Sequence, residues 1–180
     1  EEGQVVTDPE VTDTLAEYLY NGVRARFTGI EASGNLRLLG SDGFARMADA
    51  GTLDLEWRGD LVRAKNTETG EPLPRIAPLR VGATLVYGNG PWSGRVGFDY
   101  NAAQHRVPGV GARETDAYTL WNASIAYRMK VQRANLTWYA RVDNIGNKLA
   151  YSATSILTTT VYPAAPLPGR SLKVGVRVTF

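Results

Sequence analysis

Ser171-Leu172-Lys173-Val174-Gly175-Val176-Arg177-Val178-Thr179-Phe180 sets an apolar side chain at every second position from Leu172 onward, with Lys173, Arg177 and Thr179 between them. Successive side chains of an extended chain point to opposite faces, so this spacing predicts a strand with one apolar and one wet face. The same period recurs upstream. Leu136, Trp138, Ala140 and Val142 alternate with Thr137, Tyr139, Arg141 and Asp143, and Trp121, Ala123, Ile125 and Tyr127 with Asn122, Ser124, Ala126 and Arg128. Trp92, Val96, Phe98 and Tyr100 form a fourth apolar set and Leu79, Val81, Ala83, Leu85 and Tyr87 a fifth, joined through Gly88-Asn89-Gly90, a tight hairpin turn. Leu53, Leu55, Trp57 and Leu61 alternate with Asp54, Glu56, Arg58 and Asp60, and Val23, Ala25, Phe27 and Gly29 with Arg24, Arg26 and Thr28. The one helical candidate, Gly43 to Ala50, is too short to be stable alone. Seven antiparallel strands in an all-β meander are expected.

Composition narrows the class. With 43% hydrophobic and 21% charged residues, the 180-residue chain is neither disordered nor collagenous. No apolar run approaches the roughly 20 residues of a membrane-spanning helix. The net charge of +2 comes without blocks of one sign, so no nucleic-acid footprint is present. Cysteine is absent, which excludes disulfides, a Cys-ligated zinc site and a Cys nucleophile, and His105 is the one histidine, too few for a site of two or three imidazoles. Glu1-Glu2-Gly3-Gln4 has neither a basic region nor an apolar run of the kind that opens an export signal.

Alternating strands fit two architectures, and the face that lies inside separates them. A soluble sandwich or lipocalin-like barrel turns the apolar face inward; an outer-membrane barrel turns it to lipid and lines its lumen with the polar face. Strands of about 10 residues rise about 33 Å, and at a tilt near 45° they span about 23 Å, close to the apolar band of such barrels. Charges within the strands, such as Asp54, Glu56, Arg58 and Asp60, suit a wet lumen. Trp57, Tyr87, Trp92, Tyr100, Trp121 and Tyr127 lie near the ends of apolar runs, as girdle residues at a lipid interface do, although core aromatics of a soluble sheet would give the same pattern. Connections are short at 88–91 and 129–134, long at 66–77, 104–117 and 157–169, and intermediate at 39–51, and short turns on one side with long loops on the other is the outer-membrane pattern.

Four stretches, in order, resemble the C-terminal end of a TonB-dependent outer-membrane receptor. Ala25-Arg26-Phe27-Thr28-Gly29-Ile30-Glu31 is similar to a strand motif of that family, and Leu73-Pro74-Arg75-Ile76-Ala77-Pro78-Leu79-Arg80 to the opening of a later strand. Val142-Asp143-Asn144-Ile145-Gly146-Asn147-Lys148-Leu149-Ala150-Tyr151 resembles the penultimate-strand pattern, and Pro166-Leu167-Pro168-Gly169-Arg170-Ser171 leads into a final strand ending in an aromatic residue, like the signal read by the outer-membrane insertion machinery. The resemblance implies that residues 1–180 are the last seven or so strands of a transmembrane β-barrel, with the plug domain, the TonB box and the earlier strands absent. It also implies location in the cell outer membrane and energised import of a scarce ligand such as a metal or siderophore. Lipid, the remaining barrel strands and the TonB complex, reached through a plug outside this chain, are the implied partners. Pro166 to Arg170 and Leu73 to Ile76 look most like the zinc-type subgroup, but Tyr151 to Thr159 stands where that subgroup carries a His-containing stretch.

On this reading the long loops face outward and hold any ligand contacts. His105, Arg106 and Arg113 are the weak candidates there: His105 for a metal or haem, the two arginines for an anionic siderophore or lipopolysaccharide, with plain solvation of the loop the blander alternative. No catalytic residue, cofactor or built metal site is expected. Lumen salt bridges are expected between Arg24, Arg26, Arg80, Arg95, Arg141 and Arg177 and Asp54, Glu56, Asp60, Asp99 and Asp143, gripping the plug as well as the wall. Asn144 and Asn147 are expected to pin backbone, because Asn tolerates left-handed φ and bonds local amides, and Gly169 and Arg170 to shape the approach to the last strand. Two other classes remain: a soluble or small stand-alone ligand-binding barrel, and an outer-membrane enzyme, for which Ser93 or Ser171 would have to meet His105. The receptor reading predicts a native polypeptide several times heavier than 19.6 kDa carrying Pro166 to Arg170, measurable by mass spectrometry of an outer-membrane fraction.

Overall fold

The computed structural model describes residues 22–46, 48–109, 113–159 and 164–180. The opening Glu1 to Gln4 and part of each of the loops at 104–117 and 157–169 lie outside the described residues. Seven strands form one sheet in the order of the chain: β1 (Ala25–Leu39), β2 (Thr52–Asn66), β3 (Arg80–Asn89), β4 (Trp92–Asn101), β5 (Tyr118–Val131), β6 (Ala134–Asp143) and β7 (Ser171–Thr179). Every neighbouring pair is antiparallel, so the meander closes each strand's hydrogen bonds on the next one in sequence. Gly43 to Ala50 supplies only a turn of 3-10 helix at Ala48–Ala50, as its shortness required.

Register fixes which residues share a face. Across β1 to β4, Leu36 pairs with Leu55, which pairs with Leu85, which pairs with Val96. One residue along, Asn35, Glu56, Thr84 and Gly97 make the neighbouring row on the opposite face. The apolar row continues through Ala123 and Val142 to Leu172. The polar face is the concave one: a recess of ≈ 420 Å³ is lined by Glu56, Arg58, Arg95, Asp99, Asn122 and Arg141 among others. The apolar face looks outward, where Ile30 is 71% exposed, Leu85 39% and Ile125 50%. A soluble barrel would have the reverse arrangement, since apolar surface belongs out of water.

The girdle aromatics all project from the outward face. Trp92 pairs with Tyr127 and Tyr127 with Trp138 near the short-turn end, and the Trp92 and Tyr127 rings lie 4.7 Å apart. Farther up the strands, Phe98 and Trp121 are paired with ring centroids 5.2 Å apart. The two aromatic levels bracket Leu55, Leu85, Val96 and Ile125, the aliphatic middle of the band.

The upstream end of β1 departs from expectation. The alternation of Ala25 and Phe27 with Arg26 and Thr28 suggested that Arg26 belongs to the wet face. Instead the strand runs to Leu39, and its larger part, where Leu36 faces Leu55 and Arg37 faces Asp54, sets the faces for all 15 residues. With a period of two, Arg26 therefore falls on the outward face and Phe27 on the concave one.

Connections 67–79, 102–117 and 144–170 lie at one end of the sheet, and 40–51, 90–91 and 132–133 at the other with Phe180. The intermediate connection after β1 thus belongs to the short-turn side. It folds back on the next hairpin: Tyr87 donates its hydroxyl to the Ala50 carbonyl at 2.9 Å, and Gly51, at φ +80°, has no room for a Cβ against the Gly88 carbonyl. Among the described residues β1 and β7 each pair on one side only.

Leu85→Arg, in the middle of the outward face, is expected to destabilise the barrel by about 2–4 kcal/mol in a bilayer. Ser124→Asp on the concave face, whose lateral neighbours are Arg95 and Arg141, is expected to be neutral. Urea titration of the protein in vesicles measures both.

Candidate functional site

Strand alternation delivers the charged residues to the concave face, and the register then pairs them. Arg80 meets Asp60 at 3.0 Å, Arg95 meets Glu56, and Arg37 meets Asp54 and, at 3.0 Å, Asp42. Arg58 reaches Asp99 at 2.5 Å, two strands away. Gly82, between them on β3, makes that reach possible, because a Cβ there would lie 2.9 Å from Asp99 Oδ1 and 3.1 Å from Arg58 Nε. Gly97 serves the neighbouring row, where a Cβ would stand 2.4 Å from Thr84 Oγ1. Asp143 accepts from Arg141 at 2.6 Å and from Lys173 at 2.9 Å.

The expected ladder of salt bridges is present, with differences in membership. Arg24 pairs with Glu68 at 3.7 Å on the long-loop side. Arg37, Arg58 and Lys173 carry rungs that the sequence did not single out as cations of the ladder. Among the described residues no ion pair engages Arg26 or Arg177, the first because it lies on the other face. Most of these pairs are well exposed, so each contributes little stability, and together they make a fixed polar surface.

At the long-loop end Asn144 is the pin. It is 4% exposed and has φ +50°, a left-handed conformation that Asn tolerates. Its N–H donates to Asn122 Oδ1 at 3.0 Å, its Oδ1 accepts from the Lys148 N–H at 2.8 Å, and its Nδ2 donates to the carbonyls of Lys148 and Pro168 at 2.9 and 3.2 Å. Asn147, at φ +49°, accepts the Arg170 N–H on Oδ1 at 2.9 Å. Gly169 lies so close that a Cβ would stand 3.0 Å from that oxygen. Two asparagines therefore tie β5, the end of β6 and the approach to β7 together. Arg170 takes part through its backbone, and its side chain is dispensable to the knot.

His105, Arg106 and Arg113 lie in the connection after β4. That loop is bridged by Gln104 and Thr115, whose backbones exchange hydrogen bonds at 2.9 and 3.2 Å. Gln104 also donates to the Ile76 carbonyl at 2.7 Å and accepts from the Arg106 N–H at 3.0 Å, which docks the loop on the one after β2. Flanking this bridge, His105 Nδ1 lies 2.5 Å from Glu114 Oε2, a contact that fastens the two arms of the loop. Among the described residues no group of three His, Asp or Glu side chains is placed to hold a metal ion. Ser93 lies at the opposite end of β4 from His105, and Ser171 opens β7, three strands away, so neither serine forms a nucleophile–base pair with it. Arg106 is exposed and Arg113 half-buried. Gln104 and Thr115, both buried, escaped the sequence reading because a single polar residue in a loop carries no periodic signal.

A meander with an apolar convex face, an ion-paired concave face and its long loops at one end is the wall of an outer-membrane type of β-barrel. The comparisons agree. Residues 2–145 match the family model for the TonB dependent receptor-like β-barrel, and the chain belongs to that family, one of outer-membrane receptors and transporters. Among solved structures, the copper transporter OprC superimposes with a TM-score of 0.68 at 21% identity, over 86% of this chain and 24% of that one. The chain thus spans about a quarter of the length of that transporter. Comparison with curated proteins gives no match.

Asn144→Ala removes the three hydrogen bonds of its side chain, keeps the backbone N–H bond to Asn122, and leaves a left-handed φ on a residue that resists it, with an expected loss of about 2–4 kcal/mol. Arg58→Gln, on an exposed rung, is expected to leave stability nearly unchanged. The temperature at which the folded band of the protein disappears on electrophoresis compares them.

Proposed function

We propose that this chain is the C-terminal barrel wall and outer loops of an outer-membrane receptor that imports a scarce ligand at the expense of TonB-transmitted force. The observation that carries the reading is the pairing of an outward apolar band with a charged concave face on a sheet of this family. Further strands close the barrel, which satisfies the backbone groups along β1 and β7 that are otherwise costly in lipid. The plug sits against the concave face. Arg58, Arg95, Asp99 and Arg141 offer it both signs of charge at fixed positions, so that plug side chains can exchange partners as the plug moves. The loops at 67–79, 102–117 and 144–170 face the outside.

The ligand is a metal complex or siderophore gripped mainly by parts of the receptor beyond this chain. OprC is a copper transporter by name, but here one histidine, two methionines and no cysteine supply little for a soft metal. His105 is better used as a loop clasp through Glu114 than as a ligand.

Growth on single scarce nutrients, with iron siderophores, copper and zinc limited in turn, tests the import. Loss of the full-length receptor is expected to slow growth in one condition, and loss of TonB to give the same defect with no additional effect of the receptor deletion. His105→Ala is expected to retain uptake within about twofold, since an exposed loop contact contributes little. A receptor-dependent defect insensitive to TonB refutes energised import.

A further inference from the structure

Near its long-loop end the outward face changes chemistry within one pair of residues. Ile30 pairs with Leu61, both apolar; the next pair on the same face is Thr28 with Arg63, and the next Arg26 with Lys65. Arg106, from the loop after β4, joins them, and together with Arg26, Arg63 and Lys65 it lines a recess of ≈ 290 Å³. All four cationic side chains belong to exposed residues. Among the described residues none of the four takes part in an ion pair. The carboxylates of these two strands are no help to them: Glu31 and Asp60 project from the concave face, and Asp60 is held by Arg80. Glu68, at the adjacent loop, is held by Arg24.

Four like charges around one recess repel one another unless an anion occupies it. Ligand import does not explain them, because they point away from the lumen. Their height decides the partner. They stand on the rim of the apolar band, on the membrane side of the wall, and the anions present at that depth are lipid head groups. We infer that Arg26, Arg63, Lys65 and Arg106 form a binding site for the phosphorylated head group of a glycolipid in the outer leaflet, whose acyl chains run down over Ile30 and Leu61. Arginine forks grip phosphate oxygens in pairs, Lys65 adds a point charge, and the Thr28 hydroxyl is available to a third oxygen. The site gives the receptor a fixed lipid neighbour at the β1–β2 edge of this sheet and holds the loop after β4 down against the wall through Arg106.

This inference rests on the outer-membrane orientation proposed above, and its test separates the two. Full-length receptor is prepared in mild detergent from outer membranes, with a variant combining R26Q, R63Q, K65Q and R106Q, and a second combining K130Q and R133Q at the opposite end. Native mass spectrometry reads the glycolipid retained, and thermal unfolding of the unaltered receptor is followed with added lipopolysaccharide, dephosphorylated lipopolysaccharide or inorganic phosphate. Retention is expected to fall about tenfold or more in the fourfold variant and to persist in the twofold one. Intact lipopolysaccharide is expected to raise the melting temperature, with the dephosphorylated form and inorganic phosphate giving much less. Equal retention by both variants overturns the site. Should the fourfold variant not fold, equal stabilisation by intact and dephosphorylated glycolipid, or by inorganic phosphate alone, overturns it on the unaltered receptor. A receptor absent from the outer-membrane fraction refutes the orientation instead, and the site with it.

Discussion

Lateral hydrogen bonding between consecutive strands is the constraint on which the molecule depends. Because each strand pairs with the next in sequence and each pair is antiparallel, the register of one hairpin propagates to the following one, and a slip of one residue anywhere would turn an apolar row toward the concave side. The tight turns at 90–91 and 132–133 hold the pairs β3–β4 and β5–β6, and the 3-10 turn at Ala48–Ala50 does comparable work for β1–β2 by packing on Tyr87. At the other end the asparagine knot around Asn144 stands in for a short turn: it fixes where a long connection leaves β6 and where it returns to β7.

From that register the two faces acquire opposite tasks. The outward face needs only to be apolar and continuous, so Leu, Val, Ile and Ala are interchangeable over much of it and the aromatics gather toward its margins. The concave face needs its charges balanced locally, and the sheet achieves this by reaching across glycines. Arg58 and Asp99 meet over Gly82, and Tyr139 lies over Gly175, where a Cβ would be 2.5 Å from the phenol oxygen. Small residues on this face are thus spaces left for their neighbours' side chains. The result is a polar surface organised in advance.

The loops are built differently from the wall. Their order comes from isolated polar residues whose side chains bond backbone groups of other segments: Gln104 joins two loops, Asn144 joins two strand ends, and Thr158, 1% exposed, closes the loop before β7 through the Ala165 carbonyl. Asn144 and Asn147 were legible because an Asn-rich turn between two apolar alternations has a mechanism. Gln104, Thr115 and Thr158 were not, because nothing nearby in sequence distinguishes them from solvated loop residues. His105 drew notice as a rare residue type, and its neighbour proved to be the loop's own Glu114. Arg26 was assigned to the wrong face because a short local alternation at the tip of β1 conflicts with the longer one that governs the strand.

The sequence by itself determined the all-β meander, the number of strands, the side on which the short turns lie and the existence of one charged and one apolar set of side chains. All of these follow from a two-residue period, and a period is a local property. Which set is concave, which arginine meets which carboxylate, and that Arg26, Arg63, Lys65 and Arg106 share a recess were decided by tertiary structure. Each of those facts depends on register and curvature across strands tens of residues apart, where the partners are fixed by how the hairpins stack and by which glycines let side chains pass.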